Sequence, residues 1–416
     1  MPAMQVIRLT LMIAVSAVAA AQSPAPAQPT TVWQMQESGT TAGLRGIDSV
    51  DGSVAWASGT GGTVLKTTDG GAHWLKCAVP GADKDGATLD FRGVQAWDAN
   101  TAVVMASGPG DKSRLYRTTD GCKTWMLLVK NIDPDGFYDS IAFWDRKHGI
   151  LVGDPVRSMP TAFNTADGST TRDVIKFEKP RFLTLMTNNE GRDWAYWPVE
   201  KTDPPEPGSV GGAAFAASNS SVFLVREISA DSTGHVYKTV LGWIGIGGKG
   251  GARIFIGFAV AADQAPSEMH WSRPMRVPLT GGKESSGVFS LAFRLERNLN
   301  SKIDFTGDRY YRGIAVGGDY TKPNDPSGTA AWSSDGGQHW TASTTTPHGF
   351  RSAVQWSESI KAWITAGNNG SDISRDDGRT WQPLDDGNWN ALSLPFVVGP
   401  NGRIAKLNPA ALPPAK

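Results

Sequence analysis

The stretch Thr67-Thr-Asp69-Gly-Gly71-Ala-His-Trp74 decides the fold, because it returns four more times along the chain. The other copies are Thr118-Thr-Asp120-Gly-Cys122-Lys-Thr-Trp125, Thr187-Asn-Asn189-Glu-Gly191-Arg-Asp-Trp194, Ser333-Ser-Asp335-Gly-Gly337-Gln-His-Trp340 and Ser374-Arg-Asp376-Asp-Gly378-Arg-Thr-Trp381. The shared pattern is [Ser/Thr]-x-Asp-x-Gly-x-x-Trp, with Asn189 replacing the aspartate in one copy and Cys122 replacing a glycine in another. Self-similarity of this kind indicates a repeat architecture.

Each recurring residue type has a physical role in a tight hairpin. The aspartate can accept hydrogen bonds from backbone N–H groups one or two residues on. Glycine supplies the positive φ of the turn, and tryptophan carries a large apolar face to bury against neighbouring strands. None of these roles is acid–base chemistry, so we assign these residues to structure. The pattern resembles the Asp box, also called the bacterial neuraminidase repeat.

Strand-like runs surround each box in the same order, for example 44–50, 54–59 and 63–66 before the first box. Three strands, the box and a fourth strand after the tryptophan make one blade of a β-propeller. A blade with a decayed box is predicted over 211–279, with its inner strand at 213–218. The last blade has too few strands, and residues 31–36 can complete it, which removes two exposed edges.

The predicted fold class is therefore all-β. We expect a seven-bladed β-propeller of four-stranded antiparallel blades with Asp-box turns, closed by the N-terminal strand, with six or eight blades as alternatives. The 40 basic and 40 acidic residues of the 416 cancel, so no overall field favours nucleic acid or an anionic membrane.

The first 21 residues have the pattern of a signal peptide. Arg8 precedes an apolar stretch, Leu9 to Ala21, which ends in a small-residue cleavage site. We expect a linker over 22–31, a single propeller over 32–410 and a tail over 411–416. No later segment is apolar for 18 residues, so the sequence predicts no transmembrane segment. With the signal peptide, this predicts a periplasmic or secreted protein. We also expect a monomer.

Neither a metal site nor a cofactor site is predicted. The six histidines show no close spacing with one another or with the two cysteines. Gly245-Ile-Gly247-Gly-Lys-Gly250 spells a dinucleotide motif, but a β-rich run follows it where a helix is needed. Cys77 and Cys122 occupy different places in two neighbouring repeats, which argues against a disulfide and leaves their pairing open.

The whole chain after the expected signal peptide resembles the photosystem II stability/assembly factor family and its relatives in non-photosynthetic bacteria. The resemblance rests on the boxes and on Gly136-Phe-Tyr-Asp-Ser-Ile-Ala-Phe-Trp-Asp, His148-Gly-Ile-Leu-Val-Gly-Asp-Pro, Gly313-Ile-Ala-Val-Gly-Gly-Asp-Tyr and His348-Gly-Phe-Arg-Ser-Ala-Val. It implies a seven-bladed propeller that acts as an assembly scaffold or binding protein, and hence a protein partner. Fold alone does not give function.

Charged residues and tyrosines recur where the inner strands begin or the middle strands end, and these places converge at one mouth of a propeller channel. They are Arg45, Arg92, Tyr138, Asp139, Asp154, Asp319, Tyr320 and Arg351. One interpretation is a site for a polar or anionic ligand or a partner. The other is a set of salt bridges between blades around a solvated channel.

The leading hypothesis is an exported, non-catalytic propeller that serves as an assembly scaffold or protein-binding module. The alternative is a glycoside hydrolase of the sialidase kind, or a carbohydrate-binding propeller, that uses the carboxylates at the channel mouth. A sialidase-like site needs an arginine cluster, a Tyr–Glu pair and an acidic proton donor, and the Phe-Arg-Ile-Pro phrase typical of sialidases is absent. The sequence names neither the ligand nor the partner.

Overall fold

The computed structural model describes residues 31–79, 89–160, 162–163, 174–196, 212–230, 236–261, 269–272, 274–297 and 309–414. Within these ranges the chain forms strands and two 3₁₀ turns, Gly110–Lys112 and Pro409–Ala411, and no α-helix. In the same part of the chain no helix is long and apolar enough to cross a membrane. The expected signal peptide and all but the last residue of the expected linker lie outside the described residues.

Two four-stranded antiparallel sheets follow a separate first strand, β1 (Trp33–Gln36). Their strands are β2 (Leu44–Ser49), β3 (Ala55–Gly59), β4 (Thr63–Thr67) and β5 (Leu75–Cys77), then β6 (Phe91–Ala96), β7 (Ala102–Ala106), β8 (Arg114–Thr118) and β9 (Met126–Lys130). The second strand of each sheet is buried along its whole length. Both faces are therefore covered, which explains why these strands read as continuous apolar runs.

Longer strands make up the middle of the chain. A five-stranded sheet contains β10 (Tyr138–Phe143), β11 (Gly149–Pro160), β12 (Ala162–Phe163), β13 (Val174–Thr187) and β14 (Trp194–Tyr196). The next group contains β15 (Gly212–Ala213), β16 (Val222–Ala230), β17 (Val236–Gly248), β18 (Arg253–Ala261), β19 (His270–Trp271) and β20 (Met275–Arg276). The following sheet contains β21 (Ser286–Arg297), β22 (Arg309–Asp319), β23 (Ala330–Ser333) and β24 (Thr341–Ala342). Among the described strands, the two groups pair only where Gly247 lies opposite Gly287.

The predicted inner strand at 213–218 is wrong. Only Gly212 and Ala213 pair with β17 there, and pairing resumes at Val222. Residues 214–221 leave the sheet between these two points. They do so because their polar groups bond to the first strands of other sheets, as described below.

Two further sheets complete the chain. They contain β25 (Ala353–Ser357), β26 (Ala362–Gly367), β27 (Gly370–Ser374) and β28 (Gln382–Asp385), then β29 (Ala391–Ser393), β30 (Phe396–Val398) and β31 (Ile404–Leu407). As predicted, β1 pairs with the last of these strands, from Trp33 opposite Leu407 to Gln36 opposite Ile404. The N-terminal strand thereby completes a four-stranded sheet that the C-terminal segment begins.

The sheets are arranged in a closed ring. Their first strands contact one another in the order β2, β6, β10, β16, β21, β25 and β29, and β29 contacts β2. The apolar core is divided among the interfaces between adjacent sheets, as in the clusters that join Trp56 to Val104 and Leu44 to Phe396. Each sheet is thus held by burial against its two neighbours.

The repeated motif forms a turn between the third and fourth strands. The Thr67 hydroxyl donates to Asp69 (2.8 Å) and accepts from the Gly71 N–H (3.0 Å), and Asp69 accepts from the His73 N–H (2.9 Å). The aspartate thus receives an N–H four residues on, not one or two as expected, because the turn folds back over its side chain. Cys122, at a glycine position of the pattern, has a φ of 70°.

Cys77 and Cys122 form a disulfide, with Cα atoms 5.6 Å apart. The expectation that their different repeat positions argue against a bridge is wrong. Cys77 ends the outer strand of the first sheet, and Cys122 lies in the box turn of the second. Since both belong to the packing layer between these adjacent sheets, unlike positions in the repeat become neighbours in space.

Candidate functional site

Beta-bulges occur where several first strands begin. A bulge inserts one extra, unpaired residue into a strand, and this changes the direction in which its side chain points. Strand pairing is interrupted in this way at Arg45, Arg92, Asp139 and Phe289 on first strands, and at Asp154 on β11. These five bulged residues all line one cavity, of about 490 Å³, at this end of the ring. The cavity is therefore built by a repeated irregularity of the backbone.

Five of the eight residues predicted to surround the channel mouth line this cavity: Arg45, Arg92, Asp139, Asp154 and Tyr320. The structure does not bring the other three to it. Tyr138 is fully buried in an apolar cluster, where burial raises the pKa of its phenol. Asp319 accepts hydrogen bonds from the Thr321 hydroxyl and N–H, which together with other contacts hold its pKa at about 2.

Arg351, the third of these, is buried beside Asp372. Its Nε donates to Asp372 Oδ2 (2.6 Å), and both side chains are 0% exposed. Asp372 also lies 2.7 Å from Nδ1 of His348, and this bond raises the pKa of the histidine. Arg351 therefore stabilises its own sheet and offers no guanidinium to the cavity.

The cationic wall of the cavity consists of Arg45 and Arg92, which share one carboxylate. Arg92 Nε donates to Asp90 Oδ2 (2.8 Å), and Arg45 Nε lies 3.7 Å from Asp90 Oδ1. Arg92 Nη1 also donates to the carbonyl of Ala216 (3.4 Å). Two guanidiniums on one carboxylate leave this wall with a net charge of about +1 at neutral pH. Sequence reasoning missed Asp90, which lies directly before β6, two residues from Arg92 in the chain.

The acidic wall consists of Asp139 and Asp154. Asp139 is 1% exposed, and its Oδ2 has no hydrogen-bond partner. Burial, together with the charge of Asp154, raises its pKa well above the ordinary value, and Arg92 opposes this. Asp154 accepts from the Ala214 N–H (3.2 Å), and burial raises its pKa to about 6. Two buried carboxyl groups thus line the cavity with too few hydrogen bonds and no ion pair to offset the loss of hydration on burial.

Residues 214–217 line the floor of the cavity, and they belong to the central segment, 214–221, whose polar groups bond across the ring. Asn219 Oδ1 accepts from the Ile141 N–H (2.8 Å), while the Ser218 hydroxyl donates to the Ser352 carbonyl (2.6 Å). The Ser220 hydroxyl donates to Ser290 (2.7 Å). These bonds reach sheets on different sides of the ring, and the first residues of the segment line the cavity. We infer that the segment closes the channel, so the cavity is a recess with one open side.

Aromatic rings form the remaining wall. Phe215 stacks on Phe289 with centroids 3.9 Å apart, and Phe350 meets Phe289 edge-on at 4.7 Å. Tyr320 contacts the same ring at 6.1 Å and is 49% exposed, so it lies at the rim. None of the three phenylalanines was predicted, since Phe289 depends on a bulge and Phe215 on the segment that leaves its sheet. An apolar wall with few polar groups is typical of a ligand pocket.

Solved structures share this ring of sheets. YCF48 from Cyanidioschyzon merolae superposes with a TM-score of 0.50 at 16% identity, covering 91% of this chain and 100% of that one. The chain folds as a β-propeller. "YCF48 bound to D1 peptide" gives a TM-score of 0.48 at 17% identity, covering 92% of this chain and 98% of that one. The WD40 β-propeller domain of Doa1 gives 0.44 at 10% identity, covering 91% and 98%.

No protein-family model and no curated protein matches the chain. At such identities the likeness to solved structures concerns the fold alone. Membership of the photosystem II stability/assembly factor family therefore stays a prediction from the sequence.

Proposed function

We propose that this protein is an exported, non-catalytic propeller of seven blades with Asp-box turns, and that it binds a protein partner through the cavity at its channel mouth. The ring of seven first strands supports the blade count. The disulfide between Cys77 and Cys122 supports export, because such bonds persist in oxidising compartments.

One observation carries the binding proposal: five bulged residues from different strands converge on one cavity, which residues 214–217 of the central segment also line. Bulges lengthen and distort strands and are over-represented beside functional sites. The recess offers a net cationic wall, an acidic wall and an aromatic wall to whatever enters it. Such a combination fits the anchoring side chain of a ligand better than it fits a solvated channel.

The hairpin of β11 and β13 supports a partner larger than a small molecule. Tyr138, where β10 begins, pairs with Gly153, and β11 continues to Pro160 opposite Val174. At about 3.3 Å per residue the hairpin therefore extends roughly 20 Å past the start of β10, on the side where the cavity lies. Val174 on this hairpin is 47% exposed. A protein that inserts one anchor into the cavity can also contact this hairpin.

Hydrolysis of a glycoside is the second candidate function. The observation in its favour is the pair of carboxyl groups, Asp139 and Asp154, on one cavity wall with raised pKa values. Against a sialidase-like site, Arg351 is held by Asp372, so only two of the three predicted arginines reach the cavity.

A pull-down from the organism's own periplasmic and membrane extract tests the binding proposal. We expect the mature protein to retain specific proteins and the double variant R45A/R92A to lose them. The matched control is R146A/R192A, which removes two exposed arginines from turns at the opposite end of the sheets. Failure of the wild type to retain any protein, or equal loss in both variants, would contradict the proposal. Turnover of fluorogenic glycosides that is abolished in D139N would favour the hydrolase instead.

A further inference from the structure

We propose that the cavity accepts a primary ammonium group of the partner, a lysine side chain or a free amino terminus, between Asp139 and Asp154. This inference rests on the proposed function of the cavity and specifies which chemical group the acidic wall recognises.

The first argument is the unmet hydrogen-bonding capacity of Asp139. Its side chain is buried, yet Oδ2 has no partner, and no described cation lies within 4 Å of either Asp139 or Asp154. A buried polar group without a partner costs about 1–3 kcal/mol, and a buried charge costs more. A ligand that donates N–H groups to both carboxylates removes this cost only when it is bound.

The surrounding charges are already engaged. Arg92, which faces Asp139, is held by Asp90 and by the Ala216 carbonyl, and Arg45 shares Asp90. Glu284, the third acidic residue that lines the cavity, pairs with Lys249 (2.9 Å). Arg92 acts on Asp139 only through its field, so no described cation forms an ion pair with either aspartate, and their mutual repulsion adds to the effect of burial.

The ligand set favours an ammonium over a metal ion. In the described part of the chain no group of three or more His, Cys, Asp and Glu side chains is close enough to hold a metal. Calcium takes six to eight oxygen ligands, whereas an ammonium has three donors and is satisfied by two carboxylates and one further acceptor. The rings of Phe215 and Phe289 can cover the methylene stem of a lysine and contribute cation–π attraction.

Calorimetry with three probes of one shape tests the charge preference directly. The probes are phenethylamine, the neutral 2-phenylethanol and the anionic 3-phenylpropionate, each titrated into the mature protein at pH 7. We expect the amine to bind at least tenfold more tightly than the other two, and D139N or D154N to remove this preference. The control E358Q removes an exposed carboxylate at the opposite end of the sheets, and we expect it to keep the preference for the amine.

Proton release separates recognition of an ammonium from nonspecific binding. The bound amine requires ionised carboxylates, so binding near pH 6 must release protons, seen as a heat that varies with the ionisation enthalpy of the buffer. Asp139→Asn and Asp154→Asn, whose folding is checked by thermal unfolding, should each reduce this release. Tighter binding of 3-phenylpropionate, proton uptake, or an unchanged preference in both variants would overturn the inference.

Acetylation of the extract distinguishes failure of this inference from failure of the proposed function. If the partner presents an ammonium group, acetylating all amines abolishes its retention in the pull-down. Acetylation at pH 6.5, where α-amines react in preference to lysines, then tells an amino terminus from a side chain. A partner that is still retained after full acetylation, and still lost in R45A/R92A, would overturn the ammonium site while leaving the binding function in place.

Discussion

Buried charges occur in two contrasting arrangements in this propeller. Arg351 and Asp372 are both fully buried and neutralise each other through a direct hydrogen bond. Asp139 and Asp154 repel each other when both are ionised, and no described cation forms an ion pair with either. The first arrangement stabilises the folded chain only while both partners are present. The second leaves two carboxyl groups available to bind a cationic group of a ligand.

Replacing Arg351 by alanine should lower the free energy of unfolding by about 3–5 kcal/mol, because Asp372 is then buried without its cation. The measurement is urea denaturation followed by tryptophan fluorescence. Arg45→Ala is the control: its side chain is 36% exposed and 3.7 Å from Asp90, so its loss should cost less than about 1 kcal/mol. Equal losses in the two variants would show that Arg351 and Asp372 are not a coupled buried pair.

Asp154 should make the protein less stable as the pH rises. Its pKa is raised from 3.8 to about 6, so the folded state binds more protons than the unfolded state between these values. Stability therefore falls across pH 4–6, by about 3 kcal/mol from this group. Asp154→Asn removes that loss. The melting temperature of the variant minus that of wild type should therefore increase as the pH is raised from 4.5 to 7.5. A constant difference over this range would refute the assignment.

Residue roles could be predicted where the interactions are local. The box turn depends on bonds within seven residues, so Asp69 and its equivalents could be assigned to structure from the motif. Arg45 and Arg351 occupy the same place in the repeat, but only Arg351 meets Asp372, which lies two strands later. The sequence does not show this pairing. Asp90 is only two residues from Arg92, so a local ion pair could have been predicted, whereas Phe289 depends on a bulge that no residue type marks.

At the scale of elements, irregular backbone builds the site. The bulges at Arg45 and Arg92 are each followed by glycine, and a Cβ at Gly46 would lie 2.6 Å from the Ser58 hydroxyl. Residues 213–218 read as a strand because the first five of them are apolar. The segment 214–221 leaves the sheet because the serines and Asn219 find partners across the ring. A pattern along one strand holds no information about these distant partners.

Asn219 should be the residue on which the central segment most depends. Its amide bonds two neighbouring first strands, and its φ is 61°, a conformation that Asn and Gly tolerate better than Ala. Asn219→Ala should lower the free energy of unfolding by about 1–3 kcal/mol, since the Ile141 N–H loses its acceptor. Asn219→Gly loses the same bonds but relieves the backbone, so it should cost less. Variants as stable as wild type would mean that the segment does not hold the ring together.

At the scale of the whole molecule, one link closes the ring and a second strengthens it. The pairing of β1 with β31 joins the N-terminal segment to the last sheet, and the disulfide joins the first sheet to the second. Ring closure was predicted from the sequence, since an incomplete last blade needs a strand. The disulfide was not, because packing between adjacent sheets decides which repeat positions meet.

Removing the disulfide should lower stability without changing the fold. Cys77 and Cys122 are 45 residues apart in the chain, so Cys77→Ser with Cys122→Ser should cost about 2–4 kcal/mol. Thermal unfolding of the double variant, beside wild type with and without reductant, measures this loss. The melting temperature of the variant should not change with reductant. If reductant lowers both melting temperatures equally, its effect does not come from breaking this disulfide.

Site-specific photocrosslinking tests the cavity as the docking site most directly. A benzophenone amino acid at Tyr320, on the rim, is irradiated in the native extract and compared with the same group at Leu75, 58% exposed on the outer strand β5. We expect a discrete protein adduct from the group at Tyr320 and none from the group at Leu75. The adduct should disappear when the crosslinking protein also carries the substitutions R45A and R92A. Adducts from Leu75 alone, or none from either position, would contradict binding through the channel mouth.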